Sequence, residues 1–176
     1  LRFRSQAILT TSKTIIKDNP RLTVRKKNKI IKHLPTIIID TDLKIPLKTN
    51  ILGDISKKRI IIFTTKKGNK YHYLKRLGCE IILIKKNKNK QLNLKTIFRQ
   101  IYNLKINDVF VEAGWIFLTS LLKNRLVYEL HLFKAKKKIV QNGKSMITNK
   151  SISDLKTQEI SSTKFGNDIY HHLKII

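Results

Sequence analysis

Short and almost uninterrupted runs of β-branched residues constrain this chain most strongly. Residues 36–39 read Thr-Ile-Ile-Ile and residues 59–63 read Arg-Ile-Ile-Ile-Phe. A strand with one face in water alternates polar and apolar residues, whereas a strand covered on both faces is apolar throughout. These runs therefore predict strands inside a parallel sheet. The predicted strands are residues 6–9, 36–39, 59–63, 80–84, 109–111 and 126–133, with a last pair near 158–160 and 168–173.

Helix-like stretches separate these runs, at residues 71–77, 94–102 and 115–122. In the second stretch, Leu94, Ile97, Phe98 and Ile101 recur at helical spacing and mark one buried face. Alternating strands and helices predict an α/β fold with a mostly parallel central sheet and helices on both faces. A chain of 176 residues is long enough for one domain with a substantial core, and no interdomain linker is evident.

The formal net charge of +27, from 38 Lys and Arg against 11 Asp and Glu, has two explanations. One is binding to nucleic acid or another anion. The other is compositional, because Lys, Ile and Asn share adenine- and thymine-rich codons and are abundant along the whole chain. We favour the compositional explanation, and we expect nucleic acid to bind only non-specifically. A basic surface still favours phosphorylated ligands.

The chain contains a single cysteine, Cys79, which excludes an internal disulfide and fits a reducing, cytoplasmic compartment. No apolar run approaches the ~20 residues that a membrane-spanning helix needs, so no membrane association is expected. The five histidines show no metal-ligand spacing with Cys79, and no metal site is predicted.

Three segments carry residues suited to ligand binding. In the first, Asp18-Asn19-Pro20 favours a turn, and Arg25 beyond it is either a phosphate ligand or a surface arginine. Asp40 ends a buried strand, where α/β folds bind ligands, but it also suits a strand-end turn. In the third, residues 112–114 read Glu-Ala-Gly between a strand and a helix, where backbone N–H groups can bind an anion. A tight connection without a ligand explains this glycine equally well.

Taken together, these segments resemble the C-terminal reductase domain of the bacterial bifunctional riboflavin biosynthesis deaminase/reductase. The resemblance rests on residues 4–25 (Arg-Ser-Gln-Ala-Ile-Leu through Asp-Asn-Pro to Leu-Thr-Val-Arg), 35–40, 43–46, 111–114, 121–122, 126–130 and 166–169. It implies a dihydrofolate-reductase-like fold. It also implies an NADPH-dependent reduction of 5-amino-6-(5-phosphoribosylamino)uracil, in which hydride reaches ribosylamino C1 and the ribose becomes a ribityl chain.

The resemblance also implies roles for individual residues. Arg2, Leu22, Arg25 and Glu112 would contact the substrate, with Arg2 and Arg25 suited to its 5-phosphate. Thr14, Asp18 and Thr41 would contact NADPH. The stretch that would hold its phosphates is Gly114, Trp115, Ile116, Phe117, Leu118, Thr119 and Ser120. The partners that the resemblance suggests are the phosphorylated pyrimidine substrate, a second copy of the chain in a homodimer, and a separate deaminase protein.

The chain departs from the family pattern at several positions. Trp115 replaces a proline, Tyr128 replaces an aspartate and Lys13 replaces a small residue. We also expect the family's first strand and its deaminase domain to be absent from residues 1–176. These departures keep a non-catalytic relative of the reductase as an alternative, beside a basic nucleic-acid-binding protein.

Overall fold

The computed structural model describes residues 1–86, 92–135 and 155–176, and it divides the chain into two compact units, Leu1–Gly114 and Trp115–Ile176. The first unit begins with a 3-10 turn at Arg2–Arg4. Its helices and strands follow in chain order as β1 (Ala7–Thr11), α1 (Ser12–Asp18), β2 (Thr23–Lys26), β3 (Lys29–His33), β4 (Thr36–Ile39), α2 (Asn50–Gly53), β5 (Ile60–Thr64), α3 (Asn69–Leu77), β6 (Glu80–Leu83), α4 (Leu94–Asn103) and β7 (Val109–Val111).

Five of these strands form a central sheet in the order β6-β5-β4-β1-β7. Every neighbouring pair is parallel, with Leu9 opposite Ile37 and Val111, and Ile38 opposite Ile62. The predicted α/β class with a parallel central sheet is therefore confirmed. The central strands β1, β4 and β5 are those whose sequences lack polar alternation.

Both faces of this sheet are buried. One face carries Ile8, Ile38 and Ile62, which belong to the same hydrophobic cluster as Ile15 of α1 and Leu74 of α3. Phe98, which the helical spacing of α4 assigned to the buried face, is only half-buried. The residues that point to the opposite face of the sheet are also buried, as are three apolar positions of α4. This second set comprises Leu9, Ile37, Ile61, Phe63, Leu94, Ile97 and Ile101.

The strand order reverses at β1. From β1 the chain moves outward through β4 and β5 to β6, and it then returns across the sheet to β7 on the other side of β1. Because parallel crossovers are right-handed, the returning connection through α4 lies on the face opposite to α1 and α3. The carboxyl ends of β1 and β7 thus form a topological switch point, where open α/β sheets bind ligands.

Several elements escaped the sequence prediction. Helices α1 and α2 are short, and the hairpin β2–β3 has mostly exposed residues, so none has a strong apolar period. The hairpin turns at Lys27 and Asn28, both with positive φ (45° and 62°), which is the geometry of a type I′ turn. Its sequence lacks the Asn-Gly signature that marks such turns.

The second unit contains α5 (Trp115–Lys123), β8 (Glu129–Lys134), β9 (Thr157–Phe165) and β10 (Asp168–Ile175). The strands form an antiparallel sheet in the order β8-β10-β9. The predicted strand at 126–133 starts too early, because the N–H of Leu126 caps α5 by donating to the Leu121 carbonyl, with Arg125 left-handed at φ 55°. No helix among the described residues is long and apolar enough to cross a membrane.

Backbone contacts fix the segment between α1 and β2. Asn19 ends α1 in the left-handed conformation, and its side-chain and backbone oxygens accept hydrogen bonds from Asn50 at 2.9 and 2.7 Å. Lys58 donates its Nζ to the Arg21 carbonyl at 2.7 Å. Leu22 follows with φ 50° and is buried. These contacts place β2 beside the sheet.

Asp40 is a buried turn residue at the end of β4. Its two carboxylate oxygens accept hydrogen bonds from the backbone N–H groups of Lys44 (2.8 Å) and Ile45 (2.9 Å). The role of Asp40 as a strand-end turn residue therefore accounts for the hydrogen bonds of both its carboxylate oxygens.

We predict that Asp40→Ala lowers the free energy of unfolding by about 3 kcal/mol, because one buried and one partly buried N–H group lose a charged acceptor. Urea denaturation followed by circular dichroism measures the change. The control is Asp42→Ala, which removes only ion pairs of 3.9–4.0 Å with Lys44 and Lys86 and is expected to cost under ~1 kcal/mol. Equal losses in the two variants would contradict the role given to Asp40.

Lys58 makes stability depend on pH. Burial, opposed by Asp54 and reinforced by the positive charge of Arg2, lowers the Lys58 pKa from 10.5 to about 8. The unfolded chain then binds more protons than the folded chain between these two values, so the free energy of unfolding rises with pH across that window.

We predict that Lys58→Met removes about 3 kcal/mol of this rise, because each pKa unit between the folded and unfolded values is worth about 1.4 kcal/mol. The experiment measures urea midpoints from pH 7 to pH 10.5. Lys57→Met, at an exposed neighbouring position, serves as the control and keeps the wild-type slope. Parallel profiles for the two variants would show that Lys58 titrates normally.

Candidate active site

An ion pair between Arg2 and Glu112 joins the N-terminal turn to the end of β7. The Arg2 Nε donates to Glu112 Oε1, and Nη2 donates to Oε2 at 2.7 Å, which gives the two-bond geometry of a guanidinium and a carboxylate. Both side chains are partly buried. The hydrogen bond to Glu112, opposed by burial, raises the pKa of Arg2, so this guanidinium stays charged.

Backbone contacts hold Glu112 at the switch point. The Glu112 N–H donates to the Leu9 carbonyl at 2.8 Å, and the buried Thr10 hydroxyl donates to the Glu112 carbonyl at 2.7 Å. Glu112 is therefore positioned by the central strand β1 as well as by its own strand. A carboxylate has about four lone-pair sites, and Arg2 occupies two of them. The remaining sites suit a polar hydrogen on a ligand.

Thr23 brings the two predicted arginines together. Arg2 Nη1 donates to the Thr23 carbonyl at 2.7 Å, and Arg25 Nε donates to the Thr23 hydroxyl at 3.2 Å. In the described part of the chain these bonds leave the terminal amino groups of the exposed Arg25 without a protein acceptor. Hydrogen bonds thus link three of the predicted substrate residues in a chain that runs from Glu112 through Arg2 and Thr23 to Arg25. Leu22 precedes Thr23 in the sequence.

The predicted cofactor residues of the first unit lie in α1 and in the turn that follows β4. Thr14, in the first turn of α1, has its hydroxyl 3.2 Å from the hydroxyl of Thr11 at the end of β1. Asp18 lies one turn further along the same face of α1. Thr41 follows β4, and its carbonyl accepts hydrogen bonds from the backbone and hydroxyl of Thr65 at 3.0 Å. Thr14 and Thr41 therefore share the carboxyl edge of the sheet.

The predicted phosphate-binding stretch is divided between the two units. Gly114 ends the first unit, and a Cβ at its position would meet no atom within 4 Å. Helix α5 begins at Trp115, so its first turn offers the N–H groups of residues 115–118. Thr119 and Ser120 lie in the second turn, where Ser120 donates its hydroxyl to the Ile116 carbonyl at 2.9 Å. Their role in phosphate binding stays a prediction.

Sequence reasoning missed three residues that position this site, namely Thr10, Thr23 and Lys58. Thr10 and Thr23 act through one hydroxyl each, which leaves no spacing pattern. Lys58 lies among so many lysines that its burial gives no signal in the sequence. Only its place before the apolar run at 60–64 sets it apart.

Relatives of known sequence match most of this chain. Residues 1–171 match the family model of the RibD C-terminal domain. The chain is 32% identical to the riboflavin biosynthesis protein RibD of Aquifex aeolicus, over 96% of this chain and 46% of that protein. It is 30% identical to the 5-amino-6-(5-phosphoribosylamino)uracil reductase of Buchnera aphidicola, over 82% of this chain and 72% of that protein. The chain spans about half the length of the RibD proteins it matches.

Solved structures share the fold. The RibD of Acinetobacter baumannii superposes with a TM-score of 0.82 at 22% identity, covering 99% of this chain and 48% of that one. The riboflavin biosynthesis reductase Rib7 of yeast gives 0.75 at 20% identity, covering 100% of this chain and 78% of that one. The predicted dihydrofolate-reductase-like fold is thereby confirmed. Since the family model extends over nearly the whole chain, this protein belongs to the RibD C-terminal domain family.

Proposed function

We propose that this chain reduces 5-amino-6-(5-phosphoribosylamino)uracil to its ribitylamino form, with NADPH as the hydride donor. The observation that carries the proposal is the hydrogen-bonded chain from Glu112, at the switch point of the sheet, through Arg2 and Thr23 to Arg25. The names of the relatives support the same reaction, because the Buchnera relative is called a reductase of this pyrimidine.

The two arginines suit the phosphate of such a substrate. Thr23 holds both guanidinium groups, and Lys58 lies near enough for Arg2 to lower its pKa. A cluster of positive charges next to a hydrogen-bonding backbone favours a dianionic group. Arg2 is oriented by Glu112, so Arg25 supplies the more exposed donors.

Glu112 would orient the reacting end of the substrate. Its carboxylate, held by Arg2, can accept a hydrogen bond from a hydroxyl or an amino group beside the carbon that receives hydride. When bound, NADPH would supply that hydride, and solvent would supply the proton that completes the reduction. The protein's part is then to hold two ligands in one geometry, which by itself accelerates such reactions greatly.

A nicotinamide cofactor follows from membership of this reductase family, and we propose NADPH in preference to NADH. Thr14 and Thr41 lie along the carboxyl edge where the cofactor would run. The extra 2′-phosphate of NADPH would find abundant partners, because the chain carries 38 Lys and Arg.

The partners and the compartment are further parts of this proposal. A solved structure from Thermotoga maritima is that of a combined deaminase and 5-amino-6-(5-phosphoribosylamino)uracil reductase, which supports a deaminase as a partner of this chain. A homodimer and a cytoplasmic location remain proposals; the buried thiol of Cys79, whose pKa burial raises to about 11, suits a reducing compartment. The relatives named above lend no support to specific nucleic-acid binding.

The test is substrate-dependent oxidation of NADPH by the native gene product that contains residues 1–176, followed at 340 nm. We expect turnover with the deaminated phosphoribosyl pyrimidine and none with its dephosphorylated form. NADPH should have a KM about tenfold or more below that of NADH, since one charged hydrogen bond is worth about 1.5–3 kcal/mol. Binding of both ligands without turnover would identify a non-catalytic relative, and failure to bind either would contradict the proposal.

We predict that Arg25→Ala raises the substrate KM about tenfold or more, because the phosphate loses a charged partner worth about 1.5–3 kcal/mol, and leaves the NADPH KM nearly unchanged. The matched control is Arg76→Ala, which removes an exposed arginine from α3 and should change neither constant. An unchanged substrate KM in the Arg25 variant would show that this arginine does not bind the phosphate.

A further inference from the structure

Three side chains of the second unit face one another across two neighbouring strands. Glu129 and His131 belong to β8, and His172 belongs to β10. The antiparallel register sets His172 opposite His131 and Lys174 opposite Glu129, so all of these residues share one face of the sheet. One carboxylate oxygen and two ring nitrogens lie within 4.8 Å of one another.

We propose that Glu129, His131 and His172 bind a divalent transition-metal ion of the zinc class, with water as the fourth ligand. In tetrahedral zinc sites the metal lies about 2.0–2.2 Å from nitrogen and oxygen, which sets ligand atoms about 3.4 Å apart. The distance from Glu129 Oε2 to His172 Nε2 is 2.8 Å, and that to His131 Nε2 is 3.9 Å. The observed spacings therefore bracket the value that a bound ion requires.

Tyr170 supports His131 from the other side of its ring. The Tyr170 hydroxyl lies 2.8 Å from His131 Nδ1 on the same face of β10. When Nδ1 donates this hydrogen bond, Nε2 keeps its lone pair toward Glu129 and His172. Metal-bound histidines usually use their second nitrogen in this way, because it fixes the tautomer and the ring orientation.

The imidazole rings of His131 and His172 need only a local rotation to bind one ion. Their centroids are 4.4 Å apart and their planes differ by 25°, so the two rings are stacked. Binding of one ion would require a rotation about χ2 of each histidine, and this terminal torsion has a broad energy well. Both side chains are about one-fifth exposed, so an ion and its water have access.

The ligand set favours zinc, nickel, copper or cobalt over magnesium and calcium. Two imidazoles and one carboxylate are borderline donors, whereas the hard cations prefer oxygen alone. Lys174, which the register sets opposite Glu129, has its Nζ 5.2 Å from the ring centre of Tyr128. Among the described residues, Glu129 forms ion pairs with the two histidines and not with Lys174.

A second histidine–glutamate pair of the same sheet provides an internal control. His171 Nδ1 lies 2.8 Å from Glu159 Oε2, and His171 points to the face opposite to His172. The described residues place no third ligand at this pair. This pair has the same hydrogen bond and a similar exposure as the proposed site, but it offers only two ligands.

The experiment adds Zn²⁺ to the metal-free native protein and measures binding by competition with a chromophoric chelator. Thermal unfolding and the visible spectrum of Co²⁺ are recorded in parallel. We expect one equivalent, a rise in Tm and a tetrahedral Co²⁺ spectrum, with no effect of Mg²⁺. Glu129→Gln and His172→Gln should each weaken Zn²⁺ binding by at least about 100-fold, since removing even a supporting group costs about 10–100-fold.

The control variant His171→Gln should bind Zn²⁺ as the wild type does. Tyr170→Phe keeps the three ligands and should weaken binding about tenfold, which a purely structural hydrogen bond would not produce. Circular dichroism confirms that each variant is folded. The proposal is overturned if the wild type binds no Zn²⁺ at micromolar concentration, or if His171→Gln loses as much affinity as His172→Gln. Neither result bears on the reductase activity, which uses other residues.

Discussion

The first unit depends on the burial of both faces of its parallel sheet. Ile37 and Ile38 are neighbours in β4, point in opposite directions and are both fully buried. Burial of such side chains contributes roughly 1.5–3 kcal/mol each, and it requires helices on both faces. Helices can cover both faces because the strand order reverses at β1, and that reversal makes the carboxyl ends of β1 and β7 the switch point of the sheet.

Hydrogen bonds, rather than apolar contacts, position the charged residues of the site. Glu112 is fixed by Leu9, Thr10 and Arg2, so two strands and the N-terminal turn determine its position. Arg2 is in turn fixed by Thr23, which itself follows the turn that Lys58 holds. Glu112, Arg2 and Lys58 thus each have a protein partner, whereas the terminal amino groups of Arg25 have none among the described residues. An array of this kind is preorganised for an anion, because little side-chain entropy remains to be lost on binding.

The second unit is not organised around a sheet that is buried on both faces. Its antiparallel strands β9 and β10 carry many polar residues, and β9 is exposed along its whole length. Cross-strand pairs, rather than a two-sided core, bring its side chains together. This pairing assembles Glu129, His131 and His172, and it also gives the separate pair His171 and Glu159. The expectation that the histidines form no metal site came from their spacing in the chain, which does not describe partners 41 residues apart.

The sequence by itself determined the α/β class, the central strands and the segments that identify the family. It did so because burial on both faces demands uninterrupted apolar runs, and because the turn at Asp18-Asn19-Pro20 and the residues around Glu112 are specific. It left open whether Asp40 is a ligand or a turn residue, and it gave no sign of Lys58, Thr10 or Thr23. Tertiary structure decided these, since the direction of a hydrogen bond and the partner of a charge depend on register between distant strands. For the same physical reason the sequence did not predict the short elements α1, α2 and β2–β3. Contacts with other parts of the chain determine their positions.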